Sequence, residues 1–122
     1  MKILIVDDEE GIRYLLGAIF EKEHSVKIAA DGEEGLRIFF QDGPDLLITD
    51  LTMPKMRGEE LIRKAKLSKP KVKAILMSAD KPEEVREVAK AAGADYFVDK
   101  TSLLSELNSA LKNLFPTLLP RQ

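Results

Sequence analysis

Cysteine and tryptophan are absent from this sequence, and histidine occurs once, as His24. The absence of cysteine excludes disulfide bonds, thiolate zinc sites, iron-sulfur clusters and cysteine nucleophiles. A single histidine cannot build a histidine-based metal centre. No apolar run reaches the roughly 18 residues that a membrane span requires, and the N-terminal MKILIVDDEE turns acidic too early for a signal peptide. We therefore predict a cytoplasmic protein that makes no membrane contact.

An excess of charge of one sign is also missing. The chain has 19 Lys and Arg against 21 Asp and Glu, which gives a formal net charge of -2. Nucleic-acid modules normally carry a basic excess on one face, so we predict no direct binding to nucleic acid. The length of 122 residues suits one domain. We assign this domain to residues 1–115 and a C-terminal tail to residues 116–122.

Short apolar segments alternate with helical patterns along the chain. The segments predicted as strands are residues 2–6, 26–30, 46–49, 72–77 and 96–98. Helices are predicted over residues 9–22, from the cap Asp31 to the stop at Gly43, over 59–67 and 82–92, and from the cap Ser102 to Pro116. Five strands and five helices in strict alternation predict one parallel sheet with helices on both faces.

Polar side chains stand where the predicted strands end. Asp7 and Asp8 follow the first strand, Asp50 the third, Ser78 the fourth and Lys100 the fifth. Ligands of such sheets bind beyond the carboxyl ends of the strands, and the common order 2-1-3-4-5 makes the first and third strands neighbours. Three carboxylates that close require a neutralising cation. An all-oxygen cluster suits Mg2+, and no calcium-loop spacing is present.

The opposite side of the predicted crevice is positively charged. Lys100 contributes an ammonium and Ser78 a hydroxyl, which together with the cation suit an anion with several oxygens, such as a phosphoryl group. Phosphoryl transfer depends mainly on positioning and charge neutralisation. Asp50 is already ionised, so it can act as the nucleophile without a separate general base.

Four segments of the chain resemble, in order and spacing, the signature of response-regulator receiver domains of two-component systems. They are ILIVDDEE, LLITDLTMP, ILMSAD and GADYFVDK, and the resemblance extends from residue 2 to about residue 115. It implies a flavodoxin-like, CheY-like doubly wound fold: a five-stranded parallel sheet of order 2-1-3-4-5 flanked by five helices. It also implies a signalling domain that is not an enzyme.

The resemblance implies a role for each site residue. Asp50 is the phosphoacceptor, Asp8 a direct metal ligand, Asp7 the holder of a metal-bound water, and the backbone carbonyl of Thr52 a further ligand. The implied cofactor is Mg2+, with Mn2+ as a substitute. The phosphate-binding and switch residues are Ser78, Ala79 through its amide, Lys100 and Phe97. For Phe97, plain core packing is an equally good interpretation. Thr52 and Asp80 border the site and are expected to tune the phosphoryl lifetime.

Partners follow from the same resemblance. A sensor histidine kinase or a histidine phosphotransfer protein would donate the phosphoryl group, and a downstream protein would read the switch. The expected kinase-docking residues lie on the first helix: Gly11, Ile12, Tyr14, Leu15 and Ala18. A monomer or a weak phosphorylation-dependent dimer is expected. The family usually has a proline after the lysine, often in a cis bond, whereas Thr101 favours a trans bond here.

Other functions fit the sequence less well. Aspartate-nucleophile phosphohydrolases place a second acid two residues after the nucleophile, where this chain has Thr52. A flavin module would need a phosphate-cradling loop in place of the acidic DDEE. A receiver-shaped module that never meets phosphate would not need the full set of site residues. We predict a stand-alone receiver that acts through protein contacts; the alternative is an isolated receiver fragment of a larger multidomain regulator.

Overall fold

The computed structural model describes residues 1–80 and 82–116. The strands are β1 (Lys2–Val6), β2 (Ser25–Ala29), β3 (Leu46–Asp50), β4 (Lys73–Ser78) and β5 (Tyr96–Asp99). All neighbouring strands are parallel, and their order in the sheet is β2-β1-β3-β4-β5. The predicted doubly wound α/β fold and its strand order are therefore confirmed.

Five helices connect the strands. They are α1 (Glu10–Phe20), α2 (Gly32–Asp42), α3 (Gly58–Ser68), α4 (Pro82–Ala92) and α5 (Leu103–Leu114), with a 3-10 turn over Lys100–Ser102 before α5. Within residues 1–80 and 82–116, none of these helices has the length and apolarity needed to span a bilayer. The predicted tail, residues 116–122, lies outside the described residues apart from Pro116.

The sheet separates two apolar layers. Alternate residues of a strand point to opposite faces, so Leu4 and Val6 of β1 pack on one face and Ile3 and Ile5 on the other. The first face is covered by α2, α3 and α4, and the second by α1 and α5. Every residue of β3 is buried, as expected for a central strand with helices on both sides.

The helix ends agree with the sequence signals at two of the three positions. Asp31 caps α2 by accepting a hydrogen bond from the amide of Glu34, and Gly43 ends this helix with a φ of 61°. The side-chain cap predicted for Ser102 is wrong, because Ser102 occupies the N-cap position of α5 without a capping hydrogen bond. The preceding 3-10 turn winds the chain before α5 begins, and Ser102 consequently lacks the extended backbone that a cap requires.

The chain enters the last helix without a cis peptide. No peptide bond among the described residues is cis, so the bond between Lys100 and Thr101 is trans, as Thr101 favoured. Asp99 holds this turn, since its Oδ1 accepts hydrogen bonds from the amide and the hydroxyl of Thr101, at 2.9 Å and 2.8 Å. Lys100 thus leaves the end of β5 at a defined position.

Candidate functional site

The sheet places the carboxylates at one edge. Strands β1 and β3 are paired in parallel, with Val6 opposite Thr49. The residues that follow this pair in the two strand directions are Asp7 and Asp50. They therefore lie together at the carboxyl edge of the sheet. The chain reaches Asp50 through a buried strand, which fixes its backbone between the two helical layers.

Asp7, Asp8 and Asp50 form what we call the acidic cluster. Each offers a carboxylate oxygen, and these oxygens lie within 4.8 Å of one another. Asp7 is completely buried and Asp50 is buried, whereas Asp8 is exposed. The carboxylates of Asp7 and Asp50 are thus shielded from water, whereas the carboxylate of Asp8 is in contact with solvent.

Burial changes the acidity of the two inner groups. It is the largest cause that raises the pKa of Asp50 to about 6; the negative charge of Asp7 adds to this, and the ammonium of Lys100 opposes it. Burial also raises the pKa of Asp7, against the nearby ammonium of Lys100 and the hydrogen bond from the amide of Glu9. Ionised carboxylates in this setting are unfavourable unless positive charge accompanies them.

One oxygen of Asp7 lacks a complete set of partners. Its Oδ1 accepts a hydrogen bond from the amide of Glu9 at 2.9 Å. Its buried Oδ2 is 2.8 Å from Nζ of Lys100 but has no hydrogen bond of good geometry. A buried acceptor without a hydrogen bond is costly. A hard divalent cation with bound water fits this oxygen-only donor set.

Lys100 links the carboxylates across the crevice. Its Nζ lies 2.8 Å from Asp7, 2.9 Å from Glu9 and 3.3 Å from Asp50. Burial by itself lowers the pKa of Lys100, but the contact with Asp7, the hydrogen bond with Glu9 and the charge of Asp50 outweigh it and raise the pKa above its ordinary value. The lysine therefore stays protonated and contributes a fixed positive charge.

The loop after β3 is held by backbone contacts. The amide of Leu51 donates to Oδ1 of Asp50 at 3.0 Å, and the amide of Gly58 donates to the carbonyl of Leu51 at 2.8 Å. A Cβ at Gly58 would overlap the carbonyl oxygen of Asp50. Thr52 follows with an exposed side chain. Because the loop after β3 packs so closely on Asp50, it restricts the position of the Asp50 carboxylate.

A family model described as the response regulator receiver domain matches residues 3–112 of the chain. The chain belongs to this family. The receiver domain shares 34% identity over 116 residues with sporulation initiation phosphotransferase F of Bacillus subtilis strain 168, covering 94% of both chains. It shares 33% identity over 112 residues with the alkaline phosphatase synthesis transcriptional regulatory protein PhoP of that strain, covering 91% of this chain and 47% of the relative. The chain thus spans about half the length of the latter relative.

Solved structures of receivers superpose closely on this receiver domain. Chemotaxis protein CheY4 of Vibrio cholerae has a TM-score of 0.84 and 26% identity, with 93% of this chain and 98% of that chain covered. The response regulator protein TrrA of Thermotoga maritima, solved in complex with Mg(2+)-BeF, has a TM-score of 0.81 and 35% identity, with 93% and 98% covered. The chain is accordingly a signalling domain of two-component response regulators with the CheY-like fold.

The structure puts the sequence-predicted switch residues of the receiver at the ends of β4 and β5. Ser78 is buried, pairs in register with Asp99, and its Oγ accepts a hydrogen bond from the amide of Asp80 at 3.0 Å. Ala79 and Asp80 are exposed. Phe97 is half-buried and packs against the apolar layer beneath α2, α3 and α4. Phe97 therefore packs against the core.

The predicted docking residues lie on α1, which begins just after Asp7 and Asp8. Gly11, Tyr14, Leu15 and Ala18 are exposed, and Tyr14 is 79% exposed. Ile12 is half-buried and packs against the layer beneath α1 and α5. The exposed members form a surface that a partner can reach, whereas Ile12 mainly anchors the helix.

Two site residues escaped the sequence analysis. Glu9 stands at the start of the first predicted helix, yet it contacts Lys100, which lies 91 positions away in the chain. Gly58 lies between the third predicted strand and the predicted helix over 59–67, yet its missing side chain admits the carbonyl of Asp50. The one sequence signal for Gly58 is its position, since this glycine follows MPKMR and directly precedes the predicted helix over 59–67. No local sequence signal connects Glu9 with Lys100.

Proposed function

We propose that Asp50 accepts a phosphoryl group from a sensor histidine kinase or a histidine phosphotransfer protein. The observation that carries the proposal is the position of its carboxylate, which lies within the acidic cluster and 3.3 Å from Nζ of Lys100. Both a carboxylate nucleophile and a nearby cation are thereby available to one phosphoryl group. Positioning and charge neutralisation are the main requirements of phosphoryl transfer.

The transfer exchanges one bond for another. A carboxylate oxygen of Asp50 forms a bond to phosphorus as the phosphorus-nitrogen bond of the donor phosphohistidine breaks. The electron pair of that bond remains on the imidazole nitrogen, and the ring is left neutral once it has taken up a proton. The product is an acyl phosphate on Asp50. Lys100 stabilises the negative charge of the phosphoryl oxygens throughout.

The acidic cluster is proposed to hold Mg2+. Asp8, Asp50 and the carbonyl of Thr52 would be direct ligands, and Asp7 would bind a metal-held water. The raised pKa values of the buried carboxylates and the unsatisfied Oδ2 of Asp7 support a cation here. When bound, Mg2+ supplies positive charge against the phosphoryl oxygens. Mn2+ prefers the same kinds of oxygen ligand and would serve as a substitute.

The switch is proposed to pass through Ser78 and Phe97. The Oγ of Ser78 accepts from Asp80 and retains its own O–H for donation. In the phosphorylated domain this hydroxyl and the amide of Ala79 would bind phosphoryl oxygens, and Phe97 would turn into the space that Ser78 vacates. The added charge shifts the population toward the active conformer, and a downstream protein reads the changed surface.

The lifetime of the phosphoryl group is proposed to depend on Thr52 and Asp80. Both side chains are exposed at the rim of the site, where they can favour or obstruct the approach of water. The domain would then promote its own phosphotransfer and dephosphorylation without turning over other substrates. Equal dephosphorylation rates in Thr52→Ala, Asp80→Ala and the parent would contradict this role.

Docking of the phosphodonor is proposed for the exposed face of α1. Tyr14 and Leu15 are two of its large exposed side chains, and Gly11 and Ala18 leave room for a partner helix to approach. We also propose residues 1–115 as the receiver domain with residues 116–122 as its tail, and a monomer or weak phosphorylation-dependent dimer. A cytoplasmic location stays a prediction from the sequence.

Intact mass spectrometry tests the proposed function. The protein is incubated with acetyl phosphate and Mg2+, and we expect the mass of one phosphoryl group to be gained. Asp50→Ala should abolish the gain, and EDTA should prevent it in the parent. No gain in the parent, or the same gain in Asp50→Ala, would overturn the assignment.

A further inference from the structure

Three carboxylates surround the ammonium of Lys100. Its Nζ contacts Oδ2 of Asp7, Oε1 of Glu9 and Oδ2 of Asp50 at 2.8, 2.9 and 3.3 Å. Among the described residues, the contact with Glu9 is the one that has hydrogen-bond geometry, whereas Asp7 and Asp50 lie against the ammonium as ion-pair partners. A phosphoryl oxygen that approaches Lys100 therefore competes with these carboxylates for the N–H donors of the ammonium.

Glu9 is the partner that gives way at the lowest cost. Its side chain is 62% exposed, whereas that of Asp7 is fully buried. An exposed carboxylate that leaves an ion pair regains hydration, so little free energy is lost. A buried carboxylate left without its partner is strongly destabilising. Asp50 itself carries the incoming group and cannot leave.

The side chain of Glu9 also has no role in holding its own helix. Glu9 is the N-cap residue of α1, where side chains usually bond the first helical amides, yet it makes no side-chain capping bond. Within the part of the chain that the structure describes, its one ion pair is with Lys100. The carboxylate can therefore move without loosening α1.

We propose that Glu9 is a positioning residue that holds one N–H of Lys100 before phosphorylation and yields it to a phosphoryl oxygen afterwards. The inference rests on the proposed role of Asp50. A side chain at position 9 that cannot reach Lys100 leaves this donor free, so Lys100 engages the phosphoryl group more readily and phosphorylation becomes faster. Because the effect passes through Lys100, it requires Lys100.

A double-mutant cycle in the full chain tests this dependence. The rate of phosphorylation by acetyl phosphate at saturating Mg2+ is measured for the parent, Glu9→Ala, Lys100→Met and the double variant. We expect Glu9→Ala to raise the rate about two- to fivefold, in line with the strength of a partly exposed ion pair. In the Lys100→Met background the same substitution should leave the rate unchanged.

Two further variants separate reach from charge. Glu9→Asp keeps the charge but shortens the side chain, so it should accelerate phosphorylation as Glu9→Ala does. Glu10→Ala removes the neighbouring acid, for which the described residues show no ion pair, and should leave the rate unchanged. As a readout independent of rate, the 15N signal of the Lys100 ammonium should exchange faster with water in Glu9→Ala and Glu9→Asp than in the parent.

The outcomes distinguish this inference from the proposed function. Equal acceleration by Glu9→Ala with and without Lys100, or by Glu10→Ala, indicates a general charge effect and overturns the role of Glu9. An unchanged rate in Glu9→Ala, with the parent phosphorylated on Asp50, overturns the inference alone. A parent that gains no phosphoryl mass overturns the proposed function.

Discussion

Asp50 carries an unfavourable charge in the metal-free protein. Burial and the neighbouring charge of Asp7 raise its pKa to about 6, and Lys100 compensates only in part. Burial likewise raises the pKa of Asp7. Such groups weaken the folded state at neutral pH, because the unfolded chain solvates their charges better. The residues that suit the site to a cation and a phosphoryl group thus oppose folding.

We predict that Asp50→Asn stabilises the metal-free protein at high pH. The pKa of Asp50 is about 6 in the folded protein against an ordinary value of 3.8. The folded state therefore binds more protons between these values, and its stability falls as pH rises through about 6. A neutral amide removes this loss, on the order of 3 kcal/mol. Urea unfolding in EDTA at about pH 4, where little of the loss has occurred, and at about pH 8, where it is complete, measures the difference.

The control for this prediction is Glu10→Gln, which removes an exposed acid from the adjacent helix. It should change the free energy of unfolding little at either pH. A gain in Asp50→Asn that is equal at both pH values would contradict the titration of Asp50 as its cause.

At the scale of elements, the contact between α3 and the end of β3 positions the acceptor. Gly58 begins α3, and its amide donates to the carbonyl of Leu51. The same glycine faces the carbonyl oxygen of Asp50 so closely that no Cβ fits. The start of helix α3 therefore packs directly against the backbone of the acceptor residue, Asp50.

We predict that Gly58→Ala lowers both stability and phosphorylation. The added methyl group must displace α3 or the backbone of Asp50, at a cost of about 1 to 3 kcal/mol. Gly11→Ala is the matched control, because a Cβ there meets nothing within 4 Å. It lies within α1 and should stabilise the protein by about 0.5 to 1 kcal/mol. Urea unfolding and phosphoryl mass gain are the measurements; a neutral Gly58→Ala would contradict the close contact.

The helix caps allow a second prediction at this scale. Asp31→Ala should destabilise the protein by about 1 kcal/mol, since its side chain caps α2. Ser102→Ala should cost less, since the side chain of Ser102 makes no capping bond with α5. Thermal unfolding of both variants compares the two positions. Equal losses would show that Ser102 caps its helix in solution.

At the scale of the whole molecule, the strand order unites residues that lie far apart in the chain. The pairing of β1 with β3 joins Asp7 and Asp50, and the chain after β5 brings Lys100 to both. A cation bound by the acidic cluster would therefore stabilise the fold through several elements at once.

We predict that Mg2+ raises the thermal stability of the parent. A ligand that binds only the folded state contributes about 2.7 kcal/mol when its free concentration is about 100 times its Kd. Asp8→Asn should abolish most of this gain, and sodium chloride of equal ionic strength should not reproduce it. The midpoint of thermal unfolding with Mg2+ or EDTA is the measurement. The same gain in Asp8→Asn would show that the acidic cluster does not hold the ion.

Apolar periodicity and turn residues act locally, so the sequence alone was enough to predict the alternation of strands and helices. It also predicted Asp7, Asp8, Asp50, Ser78 and Lys100 as site residues, since each lies at or just after the end of an apolar strand. The fold was needed to show which acid is buried, how close Lys100 lies to each carboxylate, and that Glu9 also contacts Lys100. Ser102 failed as a cap for the same reason, as the turn after β5 determines its backbone. The burial of a side chain and its distance from another residue depend on strands and helices that are far apart in the chain. Local sequence patterns therefore cannot predict them.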